Sequence, residues 1–275
     1  ENVLPTNEVD AIWDEIEHVT ENHENYDIDG LAHRFNDQKE TPIKLIPKEK
    51  LKGIGTRFID FHDSSIRSKN LSLAYLPSPG LVKLRITSYR GEEDKKIIDA
   101  YFDELKNLIP EALYGFENDS LPQIIGEMLR TRKMTIGTVE SCTSGLLASQ
   151  ICSISGASDY FMGSLLTYSN SLKISLADVS PETLEKFGAV SEEVVKEMAI
   201  GGRKKLGVDC CISTSGIAGP NGGSIEKPVG LVWIAIALPT KTIVKKFQFG
   251  DNRERTIQMT VSSALNYLRY ELETT

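Results

Sequence analysis

Thr135-Ile136-Gly137-Thr138-Val139-Glu140-Ser141-Cys142-Thr143-Ser144-Gly145-Leu146-Leu147 is the stretch whose reading decides the fold. A β-branched run stops at a carboxylate, small and hydroxyl residues follow, and an apolar helical pattern begins. That order reads as a strand over 134–139, a turn, and a helix from about 143 to 153. In open α/β sheets, ligands gather at such strand ends, where free backbone N–H groups and the helix dipole face them. Ser141 stands at the junction, where a nucleophile, an anion-holding hydroxyl or a plain Ser/Thr N-cap would sit. These residues alone favour the plain N-cap slightly.

Downstream, Phe161 to Tyr168 reads as a second strand, ending in Thr167-Tyr168-Ser169-Asn170. Ser180-Pro181 starts a short helix closed by Gly188, and Ser191 caps another with Val194, Val195, Met198 and Leu206 as its buried positions. Val208 to Thr214 is a third strand, followed by the glycine-rich loop Gly216-Ile217-Ala218-Gly219-Pro220-Asn221-Gly222-Gly223. Gly230 to Leu238 and Ile243 to Phe249 make two antiparallel strands, and Asp251 or Asn252 caps a last helix running to about residue 272. With a helix over 121–129 in front, the pattern predicts an α/β fold: a three-layer α/β/α sandwich on a mixed sheet, in a unit spanning 118–275.

Upstream, Leu71 to Leu76 and Leu81 to Thr87 flank the turn Pro77-Ser78-Pro79-Gly80, which suggests a hairpin. Lys83 and Arg85 alternate with apolar residues, as on a half-exposed strand. A helix with Ile97, Ile98, Tyr101, Phe102, Leu105 and Ile109 on one face ends at Pro110, and Gly115 to Asp119 reads as a linker. Residues 46–117 are thus predicted to form a smaller α/β unit. Residues 1–45 are polar and carry one short amphipathic signal around Ile12, Trp13 and Ile16; they stay unassigned.

Composition narrows the function. Of 275 residues, 40% are hydrophobic and 25% charged, as in a soluble globular protein, and the net charge of −8 disfavours a broad nucleic-acid surface. No apolar run has the length of a membrane span, and Glu1-Asn2-Val3-Leu4-Pro5 does not read as a secretory signal. Cys142, Cys152, Cys210 and Cys211 suit neither a zinc site nor a disulfide framework, which fits a reducing cytoplasm. All four histidines (His18, His23, His33, His62) precede residue 63, so the larger unit holds no Ser-His-Asp triad of its own. A serine nucleophile there would need a lysine base whose pKa is depressed by burial or by a positive neighbour. Lys173, between Leu172 and Ile174 and five residues past Tyr168, is one candidate among ten, and spacing does not separate it from a solvated lysine. The glycine loop and the pair Arg253 and Arg255, set against the usual acidic preference of a helix start, hint at an anionic partner.

The motifs Glu140-Ser141-Cys142-Thr143-x-Gly145, Thr167-Tyr168-Ser169-Asn170-x-x-Lys173, Gly188-Ala189-Val190-Ser191, Gly216-Ile217-Ala218-Gly219-Pro220-x-Gly222-Gly223 and Glu226-Lys227-Pro228-Val229-Gly230-x-Val232-Trp233 resemble the CinA C-terminal family, in the same order. The segment from Leu73 to Gly80 and the strand after it resemble the KH-like middle domain of full-length CinA proteins. The glycine-rich nucleotide motifs of that family's N-terminal domain are not recognisable in residues 1–45.

The resemblance implies a serine amidase that hydrolyses the carboxamide of nicotinamide mononucleotide to nicotinic acid mononucleotide and ammonia, in the cytoplasm and as a homodimer, with no cofactor and no metal. It implies Ser141 as nucleophile, Lys173 as base, Tyr168 in their hydrogen-bond network, and Glu140 orienting Lys173 or the substrate. Thr143 and Ser144 would offer backbone N–H groups to the oxyanion, and Ser215, Gly216, Gly219 and Arg253 would hold the ribose phosphate. Ser144 stands where the family commonly has glycine, so a positive φ there would put a Cβ into the turn. The competing reading is a catalytically inactive module that binds pyridine nucleotides. A nucleic-acid adaptor acting through the KH-like unit is a third, against which the absence of a G-x-x-G loop counts.

Overall fold

The computed structural model describes residues 43–46, 71–78, 81–88, 91–108, 113–116 and 119–274. The short helix expected around Trp13, the four histidines, and the turn residues Pro79 and Gly80 lie outside them. The chain divides into two compact units, Glu1–Asp119 and Ser120–Thr275.

In the first unit, β1 (Ile43–Ile46), β2 (Leu71–Ser78), β3 (Leu81–Ser88) and β4 (Gly115–Phe116) form an antiparallel sheet in the order β2-β3-β1-β4. Helix α1 (Lys95–Leu108) packs on it. Val82, Leu84 and Ile86 are buried while Lys83 and Arg85 are half-buried, so the alternation marks two faces of one strand. Gly115 and Phe116 are not a linker, as the sequence suggested. They pair with Leu45 and Lys44, and the Phe116 ring meets Phe102 edge-on at 6.4 Å. A two-residue strand is too short to carry a periodic signal, and only its partner reveals it.

The second unit contains α2 (Leu121–Arg132), β5 (Ile136–Glu140), α3 (Leu146–Cys152), β6 (Phe161–Leu166), α4 (Asn170–Ala177), α5 (Pro181–Phe187), α6 (Glu192–Leu206), β7 (Cys210–Gly216), β8 (Leu231–Ala237), β9 (Thr242–Gln248) and α7 (Arg253–Glu273). The sheet order is β6-β5-β7-β8-β9, with β6, β5 and β7 parallel and β8 and β9 antiparallel to their neighbours. Helices α4, α5 and α6 cover one face, and α2, α3 and α7 the other. This is the expected α/β/α sandwich on a mixed sheet.

Every residue of β5 is buried, as a central parallel strand requires. Val139 and Cys211 meet Val194 and Met198 of α6 in the core of one face. Helix α6 comes this close because of Gly201 and Gly202: a Cβ at Gly202 would lie 2.1 Å from Val139 Cγ2, and one at Gly201 would lie against the Ala177 carbonyl. The chain leaves β5 over one face to reach β6 and returns over the other to reach β7. The carboxyl end of β5 is therefore the topological switch point, where a crevice opens between diverging connections.

Helix α4 escaped the sequence reading, which left Lys173 just beyond a strand end. Ser169 caps this helix through Leu172 N–H. Its buried positions are Lys173 and Ala177, whereas Leu172, Ile174 and Leu176 are exposed. With a lysine on the inner face and leucines outside, the usual apolar stripe is inverted, so periodicity points nowhere.

Candidate active site

The register places Glu140 beside Leu166 on one side and Thr214 on the other. The three strand ends therefore share one edge. Two backbone bonds bind them beyond the sheet: Ser141 N–H donates to the Thr214 carbonyl at 3.1 Å, and Thr167 N–H to the Glu140 carbonyl at 2.9 Å. Ser141 is held at this edge and is 9% exposed.

Lys173 reaches it from the first turn of α4. Its Nζ donates to Ser141 Oγ at 3.1 Å, to the Thr167 carbonyl at 2.7 Å and to the Tyr168 carbonyl at 3.2 Å. The side chain is 1% exposed. Burial lowers the lysine pKa by penalising the ammonium, an effect partly opposed by the neighbouring Cys142. Two carbonyls fix the amine in place, and its third partner is the serine hydroxyl. Once neutral, the amine can accept the serine proton over that same contact. Cys142 is not a rival nucleophile: it is buried, and desolvation pushes its thiol up to about 12.

Glu140 has a different position from the one expected. It is fully buried, and its carboxylate accepts from Gly145 N–H, Leu147 N–H and Thr143 Oγ1 on one oxygen and from Ala148 N–H and Thr138 Oγ1 on the other. Both oxygens are committed to α3 and its approach, so the group neither orients Lys173 nor faces a ligand. It replaces the N-cap side chain of α3, whose N-cap residue is Gly145 without a side-chain bond. Ser141 accordingly is not an N-cap.

The remaining predicted residues divide. Thr143 is buried, its hydroxyl bridging Glu140 and Thr214. Ser144 adopts φ 53, the left-handed conformation foreseen for a glycine-like position, with its side chain exposed rather than crowding the turn. Its N–H donates to the Ser141 carbonyl at 3.3 Å, so it is not an oxyanion donor in this arrangement. The Thr143 N–H donates to no backbone acceptor among the described residues, and the Cys142 N–H faces its own thiol. The Tyr168 side chain is 66% exposed, and the residue holds Lys173 through its carbonyl rather than its phenol. Ser215 is buried and donates its hydroxyl to the Ala189 carbonyl at 2.6 Å, which binds β7 to the Gly188–Ser191 segment and removes it from ligand contact. Gly216 has a packing reason: a Cβ there would stand 2.8 Å from the Leu231 carbonyl. Gly219 has φ 87, and its carbonyl accepts from Arg253 Nη1 at 3.2 Å, which joins the glycine loop to the start of α7. Asn252, not Asp251, caps α7.

Thr167 and Thr214 were missed as contributors. Both are buried at strand ends, and what they offer is a carbonyl or a hydroxyl toward neighbours remote in sequence, for which a single chain carries no signal. A separate cleft of about 570 Å³ between α6 and the β8–β9 turn, lined by Arg203, Lys204 and Lys241 among others, lies at the other end of the sheet and contains none of the predicted residues.

An α/β/α sandwich with a serine and a buried lysine in contact at its switch point is the class that fold and site define. The comparisons name the family. A model of the CinA C-terminal domain matches residues 118–272, and the chain belongs to the CinA family. The CinA-like protein of Cytophaga hutchinsonii is 41% identical over 251 residues, covering 89% of this chain and 59% of that protein. The CinA-like protein of Prochlorococcus marinus strain MIT 9215 is 45% identical over 247 residues, covering 88% and 58%. The chain thus spans somewhat under three-fifths of the length of these relatives. Among solved structures, the competence/damage inducible protein CihA from Agrobacterium tumefaciens superposes with a TM-score of 0.54 at 35% identity, over 56% of this chain and 93% of that one. A CinA superfamily protein from Klebsiella pneumoniae gives 0.55 at 31%, over 56% and 97%.

Proposed function

We propose that the second unit is an amidase acting on the carboxamide of nicotinamide mononucleotide. The observation that carries this reading is the 3.1 Å contact between Lys173 Nζ and Ser141 Oγ, with the lysine buried. Neutral Lys173 takes the Ser141 proton as Oγ attacks the carboxamide carbon. The C–N bond then breaks, and the lysine returns the proton to the departing nitrogen, which leaves as ammonia. Water, deprotonated by the same lysine, attacks the acyl ester and frees the nicotinic acid nucleotide and Ser141. The amide is attached to a pyridinium ring, which makes its carbonyl a better electrophile than an ordinary amide. The Cys142 and Thr143 N–H groups are the candidate oxyanion donors, each such donor being worth about 3 kcal/mol. Arg253 and the glycine loop it touches are the candidate phosphate holders.

We also propose that the smaller unit is a KH-like middle domain, supported by the antiparallel sheet under α1; because β1 (Ile43–Ile46) belongs to that sheet, it starts at or before Ile43 rather than at 46. The homodimeric state and the cytoplasmic location stay with the family resemblance; four unpaired cysteines agree with a reducing compartment.

The test is ammonia release from nicotinamide mononucleotide by the purified full chain. Ser141→Ala and Lys173→Ala should each lower the rate by about a thousandfold or more while leaving the circular dichroism spectrum unchanged. A folded, unmutated protein that releases no ammonia sinks the proposal.

A further inference from the structure

We propose that the cleft between α6 and the β8–β9 turn is a second binding site, which takes a small phosphorylated ligand with an apolar ring. It lies at the opposite end of the sheet from Ser141, where β7 begins and β8 ends, and is independent of the amidase reading. Its volume of about 570 Å³ is that of a small-molecule pocket. Backbone bonds hold both walls. Val208 N–H donates to the Arg203 carbonyl at 3.2 Å where α6 ends, and Leu238 N–H donates to the Lys241 carbonyl at 2.8 Å across the turn. A Cβ built on Gly207 would meet nothing within 4 Å, so the cleft is open along that wall.

Charge selects the ligand. Arg203, Lys204 and Lys241 line the cleft and no lining residue is acidic, in a protein whose net charge is −8. Basic residues at a helix C-terminus ordinarily complement its dipole, which accounts for Arg203 and Lys204 but not for Lys241 on the facing turn. Lys241 is already paired with Glu271, at 2.6 Å. The Lys204 ammonium has no hydrogen bond or ion pair among the described residues. Arg203 spends Nε on the Asp209 carbonyl at 2.9 Å, which fixes the guanidinium, and its two Nη groups meet no acceptor among the described residues. The Asp209 carboxylate turns to Thr135 instead, accepting from its N–H and its hydroxyl at 2.8 Å each. A fixed guanidinium with both Nη groups free fits two oxygens of one anion. With Lys204 it presents two unpaired positive charges, which match a phosphate monoester of about −1.5 to −2 and exceed what one carboxylate neutralises. The ring of the ligand has its own surface: Val208 and Leu238 are buried in the walls, while Ile200 beside them is 48% exposed.

The experiment titrates the 15N-labelled full chain with phenyl phosphate and follows backbone amide shifts. Phenyl phosphate should shift Gly207 and Thr240 with a Kd of about 1 mM, which a fragment of its size can reach. Phenol, which lacks the charge, and inorganic phosphate, which lacks the ring, should each bind at least about fivefold more weakly, and benzoate, with its single charge, about threefold more weakly. Lys204→Gln should weaken phenyl phosphate about threefold and Arg203→Gln about tenfold. Arg203 also anchors the Asp209 carbonyl, whereas the Lys204 ammonium bonds nothing, so Lys204→Gln keeps the test readable if Arg203→Gln fails to fold. Absence of shifts at Gly207 and Thr240 overturns the proposal, as does undiminished binding in Lys204→Gln. Shifts confined to residues 216–223 put the probe at the glycine loop and also overturn it. Benzoate binding as tightly as phenyl phosphate rejects phosphate as the ligand class.

Discussion

In the proposed mechanism, Lys173 concentrates the chemistry in one side chain. Burial lowers its pKa, so the neutral, proton-accepting form appears at lower pH than for a solvated lysine. The proposed mechanism requires that neutral form. The rate of ammonia release per unit substrate at low concentration should therefore rise with pH through a single ionisation that lies below the usual lysine value, and a pH–rate profile of kcat/KM measures it. Lys173→Arg keeps the cation at every accessible pH and removes the base. It should lower kcat by about a thousandfold with no recovery at high pH. A profile that is flat where Lys173 titrates would remove lysine from the role of base. That Ser141 and Lys173 belong together was legible only by elimination of histidine and by family resemblance. The contact itself joins residues 32 positions apart across two connections.

Two short elements owe their form to residues outside the usual patterns. Helix α3 has no side chain at its N-cap position, and the Glu140 carboxylate supplies the acceptors from the preceding strand. Glu140→Gln replaces one acceptor oxygen with a donor that faces donors. It should cost about 3 kcal/mol in urea unfolding, because a hydrogen bond to a buried charge is lost and N–H groups are left unsatisfied. Ammonia release should fall with it as the Ser141 turn loosens. Ser144 in the same turn holds φ 53, which disfavours any side chain with a Cβ. Ser144→Gly should raise stability by about 1 kcal/mol, read as a higher urea midpoint at an unchanged slope. The positive φ was suggested only by the family resemblance, through the glycine common at position 144. The capping role of Glu140 was not, because a strand-end carboxylate looks the same in sequence whether it faces a ligand or a helix.

The sandwich as a whole sets the site through the approach of α6 to β5. Gly202 allows it, since any Cβ there would overlap Val139 of the strand that carries Glu140. Gly202→Ala gains about 1 kcal/mol of helix propensity but overpacks a rigid interface at a cost of about 1–3 kcal/mol. The overlap at 2.1 Å is severe, so the second effect should win, with net destabilisation of about 2 kcal/mol in a denaturant titration. A neutral or stabilising outcome would show that α6 can shift without loss. The sheet edges also differ. β9 carries Lys245 and Lys246, charges of the kind that discourage edge pairing, while β6 is Phe-Met-Gly-Ser-Leu-Leu without any charge.

By itself the sequence determined the order of strands and helices in the second unit apart from α4, the alternating faces of β3 and the lack of histidine in the second unit. Those follow from local periodicity, steric preference and composition, which act over a few residues or none. Only the tertiary structure decided that Lys173 sits on a helix of its own and is buried, that Glu140 serves α3, that Ser215 binds Ala189, and that Tyr168 contributes a carbonyl inward and a ring outward. Each of these depends on which strand lies beside which. That choice is made by burying β5 between β6 and β7, a contact between segments far apart in the chain that no local pattern encodes.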